Sequence, residues 1–271
     1  MNNEQGSLVC VGIGMKLGAH LSPIAKSHIE QADIVFCLAS DGLVEMWIKE
    51  MSAKFISLQP YYKLNKERDL CYHAMVDAIV DSATNGNKVV GAFYGHPGVF
   101  ACVPHLAIEE CRSLGLKAYM EPGISSEDCL YADLGIDPGT YGCLQFEASQ
   151  FMFYQRHLDL SAYLILWQIA IAGDTTLSKY STDTRHRRVL IELLQQHGYN
   201  LKHQVILYES PTLAIHKPRI DKIPLSELVN SELNQQTTLV VPPFEKLLRN
   251  ESVLSRLDAM TNEEVNLRLV N

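Results

Sequence analysis

Arg68 and Tyr72 stand four residues apart in "NKERDLCYHAM" (65–75), so on a helix they are neighbours on one face. Met75 and Ile79 continue that face, which turns it toward the protein interior. A guanidinium and a phenol turned inward cost free energy unless their donors meet acceptors. Two arrangements satisfy that demand: an Arg–carboxylate pair beside a hydrogen-bonded tyrosine, or a set of donors aimed at a ligand. Tyr62, just ahead of the helix, reaches the same region. A second stretch, "AFYGHPGVFA" (92–101), sits between an apolar run and a helical pattern, at the carboxyl end of an expected strand, where open α/β sheets hold ligands. There Gly95 and Gly98 are read as allowing positive φ and close backbone approach, with Pro97 stiffening the turn. His96 suits hydrogen bonding to ligand or backbone; no second ligand stands at metal-binding spacing, so no metal is expected.

Other patterns exclude chemistry. The glycines of "VGIGMKLG" are one residue too widely spaced for a dinucleotide fingerprint, and Asp33 opens the next strand instead of closing it. Seven scattered cysteines without a CxxC pair read as reduced core residues of a cytoplasmic protein. A formal net charge of −8 argues against nucleic acid as a partner. The amino terminus lacks a signal-peptide pattern. The longest apolar run, "YLILWQIAIAG" (163–173), is about half a membrane span and reads as a buried strand, so no membrane partner is expected.

The elements that must position these residues alternate through the first half. Strands are expected at 7–14, 33–39, "KFISL", "KVVGAFYG" and "KAYMEPG". Helices are expected at 22–32 (Ser22 as cap, Pro23 first), about 43–51, 66–83 and 103–114. That order predicts a mostly parallel sheet. From about Ser125 the strands are more widely spaced ("TYGCLQFEAS", "YLILWQIA", "HQVILYES", "TTLVVPP") around one clear helix at 184–198, predicting a second, mixed-sheet lobe. The lobes are assigned to residues 1–122 and 123–243. A tail at 244–271 carries a weak helical stripe (Leu247, Leu254, Leu257), read as a helical cap on the second lobe.

Taken in order, "LVCVGIG", "EQADIVF", "YGHPGVF", "EPGISSED", "LYADLGIDP", "FEASQF", "LWQIAIAG", "VILYESP" and "TTLVVPP" resemble the S-adenosylmethionine-dependent tetrapyrrole methylase superfamily. The superfamily's usual glycine–aspartate–proline loop is replaced here by "YGHPGVF". That departure, with "NKERDLCY", is similar to the borosin peptide backbone α-N-methyltransferases. The resemblance covers roughly residues 7–243.

It implies a two-lobed α/β tetrapyrrole methylase fold, working as an interlocked homodimer with S-adenosylmethionine in the cleft between lobes. His96, Val99, Phe100, Ser125, Gln168, Ser210 and Thr238 would line that cofactor site, together with Gly98 of the loop. Tyr62, Arg68, Tyr72 and Tyr94 would form the catalytic set, with Tyr62 or Tyr72 also able to relay a proton. Gln59 stands where the family has another tyrosine. The implied substrate is a ribosomally made precursor peptide, expected as a separate chain because residues 244–271 are polar. The alternatives are a methylase acting on a porphyrin-like or other small molecule, and a catalytically silent peptide-binding module.

Overall fold

The computed structural model describes residues 5–62, 67–176 and 178–270, with side chains described through residue 261. The expected start of the long helix at Lys66 lies outside these residues. The first half forms β1 (Ser7–Gly12), α1 (Pro23–Gln31), β2 (Ile34–Leu38), α2 (Gly42–Glu50), β3 (Phe55–Ser57), α3 (Arg68–Thr84), β4 (Lys88–Phe93), α4 (Val103–Ser113) and β5 (Lys117–Glu121). These strands make a five-stranded sheet in the order β3-β2-β4-β1-β5, and every pairing in it is parallel.

Side chains alternate across a strand, and β1 shows the consequence. Leu8 and Cys10 pack with Met75 and Ile79 of α3 and Ala107 of α4. Val9 and Val11 pack on the other face with Ala25 and Ile29 of α1 and Val44 and Ile48 of α2. With both faces covered by helices, the strands read as unbroken apolar runs. α1 starts as its sequence dictates: the Ser22 hydroxyl accepts from Ala25 N at 3.1 Å, with Pro23 at the first helical position.

The second half forms α5 (Ser126–Leu134), α6 (Pro138–Tyr141), β6 (Cys143–Glu147), α7 (Ala148–Phe153), β7 (Tyr163–Trp167), α8 (Thr184–Gln196), β8 (Gln204–Glu209), β9 (Arg219–Pro224) and β10 (Thr238–Val241). Its five strands run β6-β7-β10-β8-β9, parallel between β6 and β7 and antiparallel elsewhere, a mixed sheet as expected. Its core gathers Phe151, Leu164, Leu166, Leu190, Leu194, Leu207, Leu239 and Val241. A smaller apolar cluster of Cys129, Leu130, Ile165, Trp167, Tyr208 and Val240 receives Met15 from the β1–α1 loop, so the two lobes meet there.

Three expectations need correction. The run 163–173 is not one strand: β7 ends at Trp167, because Gln168 adopts φ 56° and turns the chain into a short 3-10 helix, Ile169–Ile171. The strand β9 and the helices α5 to α7 are not apparent from the sequence pattern. The tail does form a helix, α9 (Glu251–Val270), but Val253, Leu257 and Met260 are exposed, so it does not cap the lobe within one subunit. Among the described residues no helix is long and apolar enough to cross a membrane.

Candidate functional site

The carboxyl ends of β1, β4 and β5 converge on glycine. A Cβ on Gly12 would lie 2.5 Å from the Gly95 carbonyl oxygen and 2.6 Å from Gly123 Cα, and one on Gly123 would strike the same Gly95 oxygen. Gly14 and Gly95 exchange backbone hydrogen bonds at 3.2 and 3.0 Å, closing the junction. Only backbone without side chains allows three strand ends to meet this closely. Gly95 uses its positive φ of 64°, as expected; Gly98 has no positive φ and is glycine for space. A Cβ on Gly98 would lie 2.8 Å from Met120 Sδ and 3.3 Å from both His96 Cε1 and His105 Nε2.

His96 holds this loop from within: its Nδ1 accepts from Gly98 N at 2.9 Å, and its carbonyl accepts from Val99 N at 3.3 Å. With Nδ1 accepting, the ring proton resides on Nε2. His96 therefore shapes the loop, one of the two roles the sequence left open. Phe100 closes the loop at φ 50°, a region that bulky residues seldom occupy and that clusters at functional sites. Its ring lies 5.7 Å from that of Trp167, across the seam between the lobes.

A continuous set of contacts runs around that seam. Gly95 is backed by Ser125, whose hydroxyl caps α5 by accepting from Asp128 N at 3.2 Å while Asp128 Oδ2 accepts from Ser125 N at 2.7 Å. Ser210, beyond β8, is buried within hydrogen-bonding reach of Cys129 of α5 and Tyr208. Tyr208 pairs with Thr238, which is fully buried at the start of β10. The adjacent Thr237 carbonyl accepts from Ile169 N at 3.1 Å, which fixes the turn at Gln168. Trp167, next to Gln168, returns the circuit to Phe100. All eight residues expected to line a cofactor site thus lie on or beside one circuit that spans both lobes. Two of them, Phe100 and Gln168, are the non-glycine residues with positive φ among those described.

These residues fit S-adenosylmethionine. The loop presents close-approaching backbone, with space at Gly98 that a Cβ would fill, and no lysine or arginine between Tyr94 and Phe100, as suits a cofactor without phosphate.

The expected catalytic set also comes together. The rings of Tyr62 and Tyr72 meet edge to face at 6.1 Å. Burial drives the Tyr62 phenol far above its ordinary pKa, helped by Tyr72 and Tyr94 and opposed by Arg68. Tyr72 is raised by burial, with Arg68 pulling it back. Tyr94 is 41% exposed as a residue, but its hydroxyl end is enclosed; that burial raises it, again against Arg68. One cation therefore acts on three neutral phenols. Neutral phenols are hydrogen-bond donors near neutral pH, and a neutral hydroxyl can still hand a proton on to water.

Among the described residues the Arg68 guanidinium has no carboxylate partner. Its Nη2 donates to the Lys179 carbonyl, at 2.5 Å, from the second lobe. Gln59, in place of the family tyrosine, donates to the Ala39 carbonyl at 2.7 Å and so anchors the segment ahead of Tyr62.

Sequence reasoning does not single out Trp167, Lys179 or Asp174. Trp167 ends the apolar run of β7, where it reads as core, yet its indole donates to Gln145 Oε1 at 3.0 Å. For the other two, "GDTTLSKY" carries an Asp-turn signal that could have marked the segment. Among the described residues no group of three His, Cys, Asp or Glu side chains is placed to hold a metal.

Comparison with known proteins agrees with this architecture. The chain shares 37% identity over 249 residues with a methyltransferase/ribosomally synthesized type I borosin cyclic peptide precursor of Coprinopsis marcescibilis, covering 89% of this chain and 63% of that protein. It shares 33% identity over 266 residues with the methyltransferase/omphalotin A precursor of Omphalotus olearius, covering 97% of this chain and 64% of that one. The chain thus spans less than two thirds of the length of these relatives. Among solved structures, a cobalt precorrin-4 methyltransferase superposes with a TM-score of 0.64 at 14% identity, covering 89% of this chain and 97% of that one. A uroporphyrin III C-methyltransferase from Thermus thermophilus gives 0.60 at 14% identity, covering 88% and 92%. The model of the Tetrapyrrole (Corrin/Porphyrin) Methylases matches residues 7–224, and with its two-lobed fold the chain belongs to that family.

Proposed function

We propose that this protein is an S-adenosylmethionine-dependent methyltransferase that methylates backbone amide nitrogens of a ribosomally made peptide. The observation that carries the reading is the cluster beside the glycine junction, where the Tyr62 and Tyr72 rings meet at 6.1 Å, Arg68 stands one helical turn before Tyr72 and reaches the second lobe, and Tyr94 adjoins Gly95. The names of the relatives, which join a methyltransferase with a cyclic peptide precursor, favour a peptide over a tetrapyrrole.

A peptide nitrogen is a poor nucleophile because its lone pair is delocalised into the carbonyl. Negative charge must grow on the carbonyl oxygen as the N–H proton leaves, passed by a Tyr62 or Tyr72 hydroxyl through water to solvent, while the methyl donor would depart as S-adenosylhomocysteine. Arg68, Tyr62, Tyr72 and Tyr94 supply fixed donors for that oxygen, and donors already in place need no reorganisation as the charge develops. The loop 95–100, Ser125, Gln168, Ser210 and Thr238 would hold the cofactor, which when bound supplies an electrophilic methyl group. Trp167, buried beside the exposed ring of Phe100, keeps water from its part of the seam. The working unit on this reading is a homodimer, for which the exposed Leu247, Leu248, Val253, Leu257 and Met260 offer apolar surface.

The test is to incubate the protein with methyl-labelled S-adenosylmethionine and either a Val/Ile/Gly-rich peptide or a porphyrinogen. Label entering the peptide supports the proposal. Label entering the porphyrinogen alone rejects it.

A further inference from the structure

The bond between Arg68 and Lys179 has a cause in the second lobe. Asp174 is 2% exposed, and its carboxylate gathers the chain that follows it. Oδ1 accepts from Thr176 N at 3.0 Å and from Thr176 Oγ1 at 2.6 Å; Oδ2 accepts from Ser178 N at 3.0 Å and from Lys179 N at 2.8 Å. Burial alone would raise this carboxyl, but the four hydrogen bonds hold it below its ordinary range, so it is charged near neutral pH. The far end of the segment is pinned independently, where Thr182 donates from N to the Ala170 carbonyl at 2.7 Å and from Oγ1 to the Ala172 carbonyl at 3.0 Å.

Lys179 is held on its amino side by Asp174 and gives its carbonyl to Arg68. That carbonyl takes one of the five guanidinium donors. Arg68 opens α3, so its side chain leaves the first turn of a helix and needs an external partner to hold one orientation.

We propose that Asp174 is a positioning residue for methyl transfer: by fixing the Lys179 carbonyl it aims the remaining Arg68 donors at the oxygen of the reacting amide. This rests on the reading of Arg68 as an oxyanion donor. It adds that the donor is set by the second lobe, so the catalytic cluster is complete only when the lobes are apposed. The four donors all belong to Thr176, Ser178 and Lys179, and the Arg68 contact is where the order they impose reaches the first lobe.

Asp174→Asn tests the proposal, since it keeps the side chain's shape but turns an NH₂ toward the Ser178 and Lys179 amides. With the fold intact by circular dichroism, turnover of peptide should fall about 10²-fold, the scale of a misplacement of about 1 Å. Cofactor affinity by calorimetry should stay at the wild-type value. In an Arg68→Lys background the same change should add little further loss, because the two residues act through one bond. Nitrogen-15 NMR supplies a readout apart from activity: the Arg68 guanidinium protons are expected to exchange slowly in the wild type and fast in Asp174→Asn.

Unchanged turnover, an equal loss in both backgrounds, or retained slow exchange would each overturn the proposal. If the wild type methylates no peptide, the functional reading fails, and the NMR comparison still decides the positioning claim. If Asp174→Asn does not fold, Thr176→Val takes away one donor to Oδ1 while leaving the carboxylate, and it should shift the same readouts in the same direction.

Discussion

Arg68 and Lys179, 111 residues apart in sequence, are joined by a hydrogen bond that crosses from the first lobe to the second. Arg68, which we propose stabilises charge on a substrate oxygen, is therefore held by the opposite lobe. Loss of Arg68 should act on the transition state more than on binding. Arg68→Ala should cost about 10²–10³ in kcat, the scale of one oxyanion donor, with cofactor affinity by calorimetry nearly unchanged. Arg68→Lys keeps the charge but not the fork, and should recover only part of the loss.

Tyr72→Phe removes one hydroxyl and retains the ring that packs on Tyr62. A fall in kcat is expected, also about 10²–10³, at unchanged thermal stability. Equal turnover by this variant and the wild type would show that the hydroxyl serves packing alone.

The pH dependence follows from the same phenols. Tyr62, Tyr72 and Tyr94 are raised above the ordinary tyrosine value near 10 chiefly by burial. A phenol whose folded-state pKa is raised binds its proton more tightly in the folded chain. Its contribution is complete below about pH 10 and is lost as pH climbs through the raised value. Turnover should show no falling limb between pH 7 and about 9.5, and alkaline unfolding should begin above that range. A falling limb with an apparent pKa near 8 would contradict neutral phenols as the donors.

Gly12 and Gly98 separate two kinds of crowding. Beside Gly12 the obstruction is the backbone of Gly95 and Gly123, whereas beside Gly98 the first atom met is the flexible end of Met120. Gly12→Ala should destabilise the fold by about 1–3 kcal/mol, visible as a drop in Tm of several degrees. Gly98→Ala should fold normally, and Gly98→Val should weaken cofactor binding without matching the loss of stability at Gly12. Equal Tm values for Gly12→Ala and the wild type would show that the junction tolerates a side chain after all.

Trp167 offers a direct report on the cofactor seam. The chain has two tryptophans, and Trp47 packs behind the first sheet, away from Phe100. In a Trp47→Phe variant, S-adenosylmethionine should change the fluorescence of Trp167, and Phe100→Ala should reduce that change. A silent titration with binding still present by calorimetry would place the ligand elsewhere.

The parallel sheet was legible because helices cover both faces of β1, β2 and β4 and leave no polar position to interrupt the pattern. The edge strand β9 was not, since "RIDKIP" is partly exposed and ends in proline, as edge strands do. Nothing in an apolar run announces the positive φ at Gln168, which is imposed by the tertiary contacts of the turn. Arg68 and Tyr72 were legible from helical spacing alone. Their partner Lys179 was not, because it acts through a backbone carbonyl that carries no mark in the sequence.

Where the transferred methyl group lands decides whether the donors around Arg68 serve a backbone amide. Purified protein, S-adenosylmethionine and a Val/Ile/Gly-rich peptide would be incubated, and the product sequenced by tandem mass spectrometry. A matched peptide would carry proline at the residue that accepts the methyl group. Single-methyl increments are expected on backbone amide nitrogens, with none at the proline position and near abolition with Arg68→Ala. Methyl groups found on side chains or termini, or transfer that proceeds at full rate without Arg68, would contradict that role.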